Sequence, residues 1–209
     1  MFKLKHILPF SSKKSDSIAL IIIIFLLLIL YHSTCNQNLL NQTRLYGWES
    51  QNGDSAGYSV AFSPDNTSEK LILHLISEAK ESVLLAAYSF TNKLIAEALV
   101  GAHKKGVSVQ ILADEKNNTD SPYSMISFLS SRGIDVRLNG KYNIMHHKFI
   151  IIDKRHIQTG SFNYSGSAVN KNAENVLVLW NVPELAEKYM IEWKQLWKEG
   201  KPVLSVNRR

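Results

Sequence analysis

Between Met145 and Asn163 the chain reads MHHKFIIIDKRHIQTGSFN, and here groups suited to phosphate chemistry recur at short, regular spacings. His146, Lys148 and Asp153 form an H-x-K-x-x-x-x-D pattern. Phe149 to Ile152 between them is an aromatic and β-branched run that predicts a buried strand over 146–153. Successive side chains of a strand point to opposite faces, so His146 and Lys148 are expected on one face and His147 on the other. An imidazole and an ammonium would then stand side by side. Asp153 falls on the opposite face at the far end, where a structural pairing with a cation is expected. After a polar turn, Ser161 and Asn163 of Gly160-Ser161-Phe162-Asn163 are again two apart, so a hydroxyl and an amide can aim at one point as an oxyanion site.

This order, H-x-K-x-x-x-x-D, then G-S-x-N, then Glu174 within Asn172-Ala173-Glu174-Asn175, resembles the phospholipase D superfamily. Within it, the pattern is most similar to the small bacterial endonucleases with a single motif copy. The resemblance runs from Tyr58 to the C-terminus. It implies His146 as the nucleophile that forms a covalent phosphohistidine, with Lys148, Ser161 and Asn163 holding the non-bridging oxygens. Glu174 would accept the other ring N–H of His146 and fix its tautomer. Neither metal nor cofactor is implied. A zinc site on His146 and His147 is disfavoured, because strand neighbours diverge while zinc needs three or four converging ligands.

The elements that must position these groups alternate. Strand signals lie at 58–63, 82–90, 107–113, 134–138, 146–153 and 176–180, and helical spacing at 67–80, 92–105 and 121–133. Asp114 to Asp120 reads as a polar loop, and Pro183 opens a terminal helix carrying Trp193 and Trp197, expected in the core. Such alternation follows βαβ logic and predicts an α/β fold: a mixed, mainly parallel sheet flanked by helices. His103-Lys104-Lys105 repeats H-x-K, but Gln110 replaces the aspartate and no G-S-x-N follows, so it reads as solvated surface.

The 209 residues suit one domain with an appendage. Lys3, Lys5, Lys13 and Lys14 precede an apolar run from Ile18 to Tyr31, the layout of a secretory segment. Residues 1–36 are therefore expected to be a cleaved signal peptide or a retained membrane anchor, with 37–57 a linker and 58–209 the catalytic domain. Export to a bacterial periplasm follows, with membrane contact through residues 18–31. Cys35, the single cysteine, lies outside the domain, which excludes disulfides and thiol catalysis there. Of the formal charge of +6, residues 1–36 supply four lysines and one aspartate, leaving 20 basic and 17 acidic residues, or +3.

The expected function is a metal-independent phosphodiesterase, a non-specific endonuclease hydrolysing DNA above RNA. A homodimer would supply the second histidine that this superfamily uses. The competing reading is a phospholipase D acting on phosphatidyl headgroups; a non-catalytic binding protein is disfavoured by the intact motif. A nuclease wants basic groups along a strand path, for which Lys116, Arg137, Lys141, Lys154, Arg155 and Lys171 are candidates, whereas a lipase wants an apolar rim.

Overall fold

The computed structural model describes residues 55–203, strand residues 47–48 and helical residues 22–24 and 26–27. The chain divides into two units, Met1–Leu45 and Tyr46–Arg209. Most of residues 1–36, Cys35 among them, lies outside the described residues, as does the side chain of Trp48. No helix among the described residues is long and apolar enough to cross a membrane.

In chain order the second unit comprises β1 (Gly47–Trp48), β2 (Gly57–Ser63), α1 (Thr67–Ser77), β3 (Ser82–Ala87), α2 (Lys93–Lys104) and β4 (Ser108–Asp114). There follow α3 (Glu115–Thr119), α4 (Ile126–Ser131), β5 (Asp135–Asn139), β6 (Lys148–Ile152) and β7 (His156–Gly160). The unit closes with α5 (Gly166–Asn170), β8 (Glu174–Trp180), α6 (Pro183–Glu199) and β9 (Lys201–Pro202). One sheet joins all nine strands in the order β1-β2-β8-β7-β6-β3-β4-β5-β9.

The α/β class holds, but the expected mainly parallel sheet does not. Of eight strand pairings among the described residues, only β3 with β4 and β4 with β5 are parallel. Helical crossovers α2 and α4 make those two pairs, as βαβ logic requires. The motif strands behave differently. β6 and β7 form a hairpin whose turn places Asp153 and Lys154 at φ 50 and 57, the left-handed backbone of primed hairpin turns. Glycine and asparagine usually mark such turns, and Asp-Lys-Arg hides this one in the sequence. β8 then returns antiparallel between β7 and β2.

Both faces of the sheet are covered. On one, Leu75 and Ile76 of α1 and Leu99 of α2 pack with Val83, Leu85, Ile150 and Ile152. On the other, Trp193 and Leu196 of α6 pack with Phe149, Ile151 and Ile157. Full burial of such side chains contributes roughly 1.5–3 kcal/mol each, enough to fix the register of β6. Trp193 is core as expected, stacked 4.6 Å from Trp197. His103 and Lys104 close α2. The segment read as a polar loop after Asp114 is helix α3, capped by Asp114 itself, whose Oδ1 accepts from Asn117 N at 2.8 Å.

Candidate active site

Antiparallel pairing gathers four strand termini at one end of the sheet: the C-terminal ends of β3 and β7 and the N-terminal ends of β6 and β8. In register, Ala87 faces Lys148, Phe149 faces Thr159, and Gly160 faces Val176. Residues far apart in sequence thus meet along one rim.

Lys148 opens β6 and is only 8% exposed. Its Nζ donates to the His146 carbonyl at 2.8 Å and lies 5.2 Å from the centre of the Tyr88 ring. An ammonium carries three donors, so two remain for an anion. Burial lowers the Lys148 pKa from its ordinary value, and the Glu174 carboxylate pulls it back up.

His146 precedes the strand rather than sitting in it, so strand alternation does not orient its ring. The ring is exposed and packs 4.6 Å from Tyr88. Desolvation first, then Lys148 and His147, lower its pKa, while Asp114 acts in the opposite direction. A lowered value favours the neutral imidazole, the nucleophilic form, at neutral pH. His147 occupies the other face of the sheet, as expected, 3.4 Å from Glu192 and edge-on to Phe149.

Ser161 and Glu174 meet directly: Ser161 Oγ donates to Glu174 Oε2 at 2.5 Å and accepts from Asn175 N at 3.1 Å. The other carboxylate oxygen accepts from Asn172 Nδ2 at 2.9 Å. The expected Glu174 to His146 hydrogen bond is therefore not made within the chain among the described residues; the carboxylate is held by Ser161 and Asn172 and faces Lys148. Asn163 sits one turn further on, its Oδ1 buried with no partner among the described residues. Its neighbour Tyr164 anchors this loop, accepting from Thr91 N and Asn92 N and donating its hydroxyl to Gln158. In this arrangement the Ser161 hydroxyl is committed to Glu174 rather than free for an anion.

Asp153 lies at the opposite end of β6. It is structural, but its partners are backbone amides, not a cation: its carboxylate accepts from Lys80 N, Glu81 N and Ser82 N at 2.8–2.9 Å. The expected basic path is also only partly built. Lys116, Lys141 and Lys171 belong to segments at the motif end, with Lys141 bonded to Glu199 at 2.6 Å. Lys154 and Arg155 lie in the hairpin turn at the far end, and Arg137 packs 4.6 Å over Trp197.

Two residues at the site escaped the sequence reading. Tyr88 links the His146 ring to the Lys148 ammonium, and Asp114, 3% exposed, accepts from Met145 N at 2.9 Å and so ties down the loop that carries His146. A lone carboxylate closing the apolar run Val107 to Ala113 was the available signal. No group of three or more His, Cys, Asp or Glu side chains among the described residues is placed to hold a metal ion.

The loop bearing His146, the buried Lys148 ammonium and the Ser161–Glu174 pair share one rim, and these group types suit phosphoryl transfer. A family profile described as "Cardiolipin synthase, PLD-like domain" matches residues 72–197, and the chain belongs to the phospholipase D superfamily and is a hydrolase of it. It is 39% identical over 135 residues to a phospholipase D of Rickettsia conorii, covering 65% of this chain and 66% of that protein. The chain thus spans just under two thirds of the length of that relative. Among solved structures it is similar to Nuc, a phospholipase D family member from Salmonella typhimurium. That match has a TM-score of 0.71 and 38% identity, over 72% of this chain and all of that one. NucT from Helicobacter pylori aligns with a TM-score of 0.66 and 28% identity, over 71% of this chain and all of that one.

Proposed function

We propose that the domain is a metal-independent phosphodiesterase that hydrolyses nucleic acid, DNA foremost, through a covalent phosphohistidine in a site shared by two copies of the chain. His146 attacks phosphorus, a P–N bond forms and the P–O bond to the leaving oxygen breaks. A second imidazole protonates that oxygen, then accepts a proton from the water that displaces His146. Lys148 and Asn163 stabilise the non-bridging oxygens, with Ser161 joining them once phosphate competes with Glu174 for its hydroxyl. Glu174 keeps Lys148 charged in its partly desolvated position and remains the candidate to orient His146 when substrate is bound.

One observation carries this reading: each chain presents a single exposed imidazole beside a buried ammonium, and that ring makes no hydrogen bond among the described residues of its own chain. An incomplete acid–base pair of this kind is completed by an isologous contact, which brings the same patch together twice. For nucleic acid, support comes from the uncommitted Lys116 and Lys171 and from the exposed rings of Tyr123 and Tyr142 in neighbouring segments, suited to phosphates and stacked bases. A phospholipid substrate is the second reading, favoured by Ile144, 52% exposed two residues before His146, and by the name of the Rickettsia relative. Incubating the purified domain with plasmid DNA and with phosphatidylcholine vesicles, both in excess EDTA, decides: DNA should be nicked and the lipid left intact. Consumption of the lipid alone would reverse the assignment, and activity restored only by Mg²⁺ or Zn²⁺ would end the metal-independent mechanism. The apolar run at 18–31 is proposed to direct export to the periplasm, cleaved or retained; N-terminal sequencing of the mature protein distinguishes these, and recovery from the cytoplasm would refute both.

A further inference from the structure

A cavity of about 400 Å³ opens beside the nucleophile, within the ~300–1,000 Å³ of ordinary ligand pockets. Three segments wall it: Tyr88 beyond β3, Lys116 and Asn117 of α3 with Ser121 just after, and Asn143 and Ile144 of the loop leading to His146. Tyr88 belongs to both the cavity and the site, since its ring also packs against the His146 ring at 4.6 Å. A group seated in the cavity is therefore one side chain away from the reacting phosphorus.

The wall is rigid. Asp114 also lines it, and its two oxygens bind Asn117 N and Met145 N, locking α3 to the nucleophile loop. The functional groups facing inward are uncommitted: the amides of Asn117 and Asn143 and the amine of Lys116 make no hydrogen bond or ion pair among the described residues. Asp120 adds a carboxylate to the wall, with Oδ1 accepting from Thr119 at 3.4 Å.

Chemistry selects the occupant. A carboxylate beside two amides opposes a phosphate inside the cavity and favours a neutral group with its own donors and acceptors. Side-chain amides offer a donor and an acceptor together, the pattern that pairs with base edges. Tyr88 and Ile144 supply flat and apolar surface for a ring. Lys116 can meet the next phosphate of the strand. We infer that this cavity is a nucleoside subsite: it holds the base adjoining the scissile phosphate, with Asn117 and Asn143 reading its edge and Lys116 on the neighbouring phosphate. The inference rests on the nucleic-acid reading above and names where that substrate is recognised.

The test compares two substrates: a fluorogenic single-stranded oligonucleotide of mixed sequence and bis(4-nitrophenyl) phosphate, which has no base to seat. The Asn117→Ala/Asn143→Ala variant should lower kcat/KM for the oligonucleotide about 20-fold, mainly through KM, as two hydrogen bonds are lost. Its loss on the small diester should be several-fold smaller, and any base preference beside the cleavage point should flatten. Lys104→Ala, an exposed charge at the end of α2, should change neither rate. Equal losses on both substrates, no loss on either, or an unaltered base preference would overturn the subsite; thermal melting of each variant separates these from misfolding, and single Asn117→Ala and Asn143→Ala variants serve if the double variant melts early. Failure of the nucleic-acid reading looks different: wild-type protein would hydrolyse the small diester and phosphatidylcholine but no oligonucleotide.

Discussion

At the scale of residues, the lowered pKa of His146 sets a pH expectation. In the proposed mechanism the neutral ring is the nucleophile, so activity should fall as pH drops through its pKa, and the acid limb of kcat/KM should lie below the ordinary imidazole value of 6.5. The charged and titratable groups around that ring are Lys148 and His147, which oppose its protonation, and Asp114, which favours it; Glu174 faces Lys148. Asp114→Asn keeps an acceptor for Asn117 N but removes the charge, so the acid limb should move further down in pH. Loosening of the Met145 tether should also cost about 10- to 100-fold in kcat, the scale expected when a reacting group is displaced by around an ångström. A pH profile identical to wild type would show that the Asp114 charge does not act on His146. Sequence spacing identified His146 and Lys148, yet it missed Asp114, because a strand-terminal carboxylate reads as surface until Met145 N is found against it.

Elements transmit the same constraint over longer distances. Gly160 ends β7 at φ 148, and a Cβ there would lie 2.2 Å from Asn175 O, so the β7–β8 approach that delivers Ser161 to Glu174 needs glycine. Gly160→Ala should destabilise the domain by at least about 1–3 kcal/mol from backbone strain alone, measured by urea unfolding, and should reduce turnover by shifting Ser161. At the other end of β6, Asp153 ties the hairpin turn to the start of β3 through three backbone amides. Asp153→Ala should cost about 1.5–3 kcal/mol for loss of charge-assisted hydrogen bonds, with KM nearly unchanged. A wild-type midpoint, or lost activity without lost stability, would contradict that structural role. The motif aspartate is therefore a brace of the strand that carries Lys148, about as far from the chemistry as that strand allows.

For the whole molecule, one copy of the His146 motif per chain would make assembly part of the proposed mechanism. If two copies share one phosphate, their rings must hold opposite protonation states, so their titrations are coupled and the pH–rate profile is bell-shaped with apparent values that belong to the pair. Randomly exchanged mixtures of wild-type and His146→Ala subunits should then lose activity as the square of the wild-type fraction. A linear decline, or full activity in a monomer on dilution, would show that each chain works alone and would leave the second proton donor to be found within it.

What the sequence by itself determined was chemistry and local form. The spacing of His146, Lys148, Ser161, Asn163 and Glu174 identified the superfamily. The apolar runs at 82–90 and 107–113 located β3 and β4, and Pro183 marked the start of α6, because periodicity and capping act through neighbouring residues. Tertiary structure decided strand direction and partner choice. Four termini converge because β6, β7 and β8 return antiparallel beside β3, and that depends on a hairpin turn with no glycine to announce it and on long-range register set by burying Phe149 to Ile152 on both faces. It also decided that Glu174 holds Ser161 rather than His146, and that Asp153 accepts backbone amides rather than a cation. Which polar group a side chain meets across a sheet is fixed by packing between distant segments, and no local spacing encodes that distance.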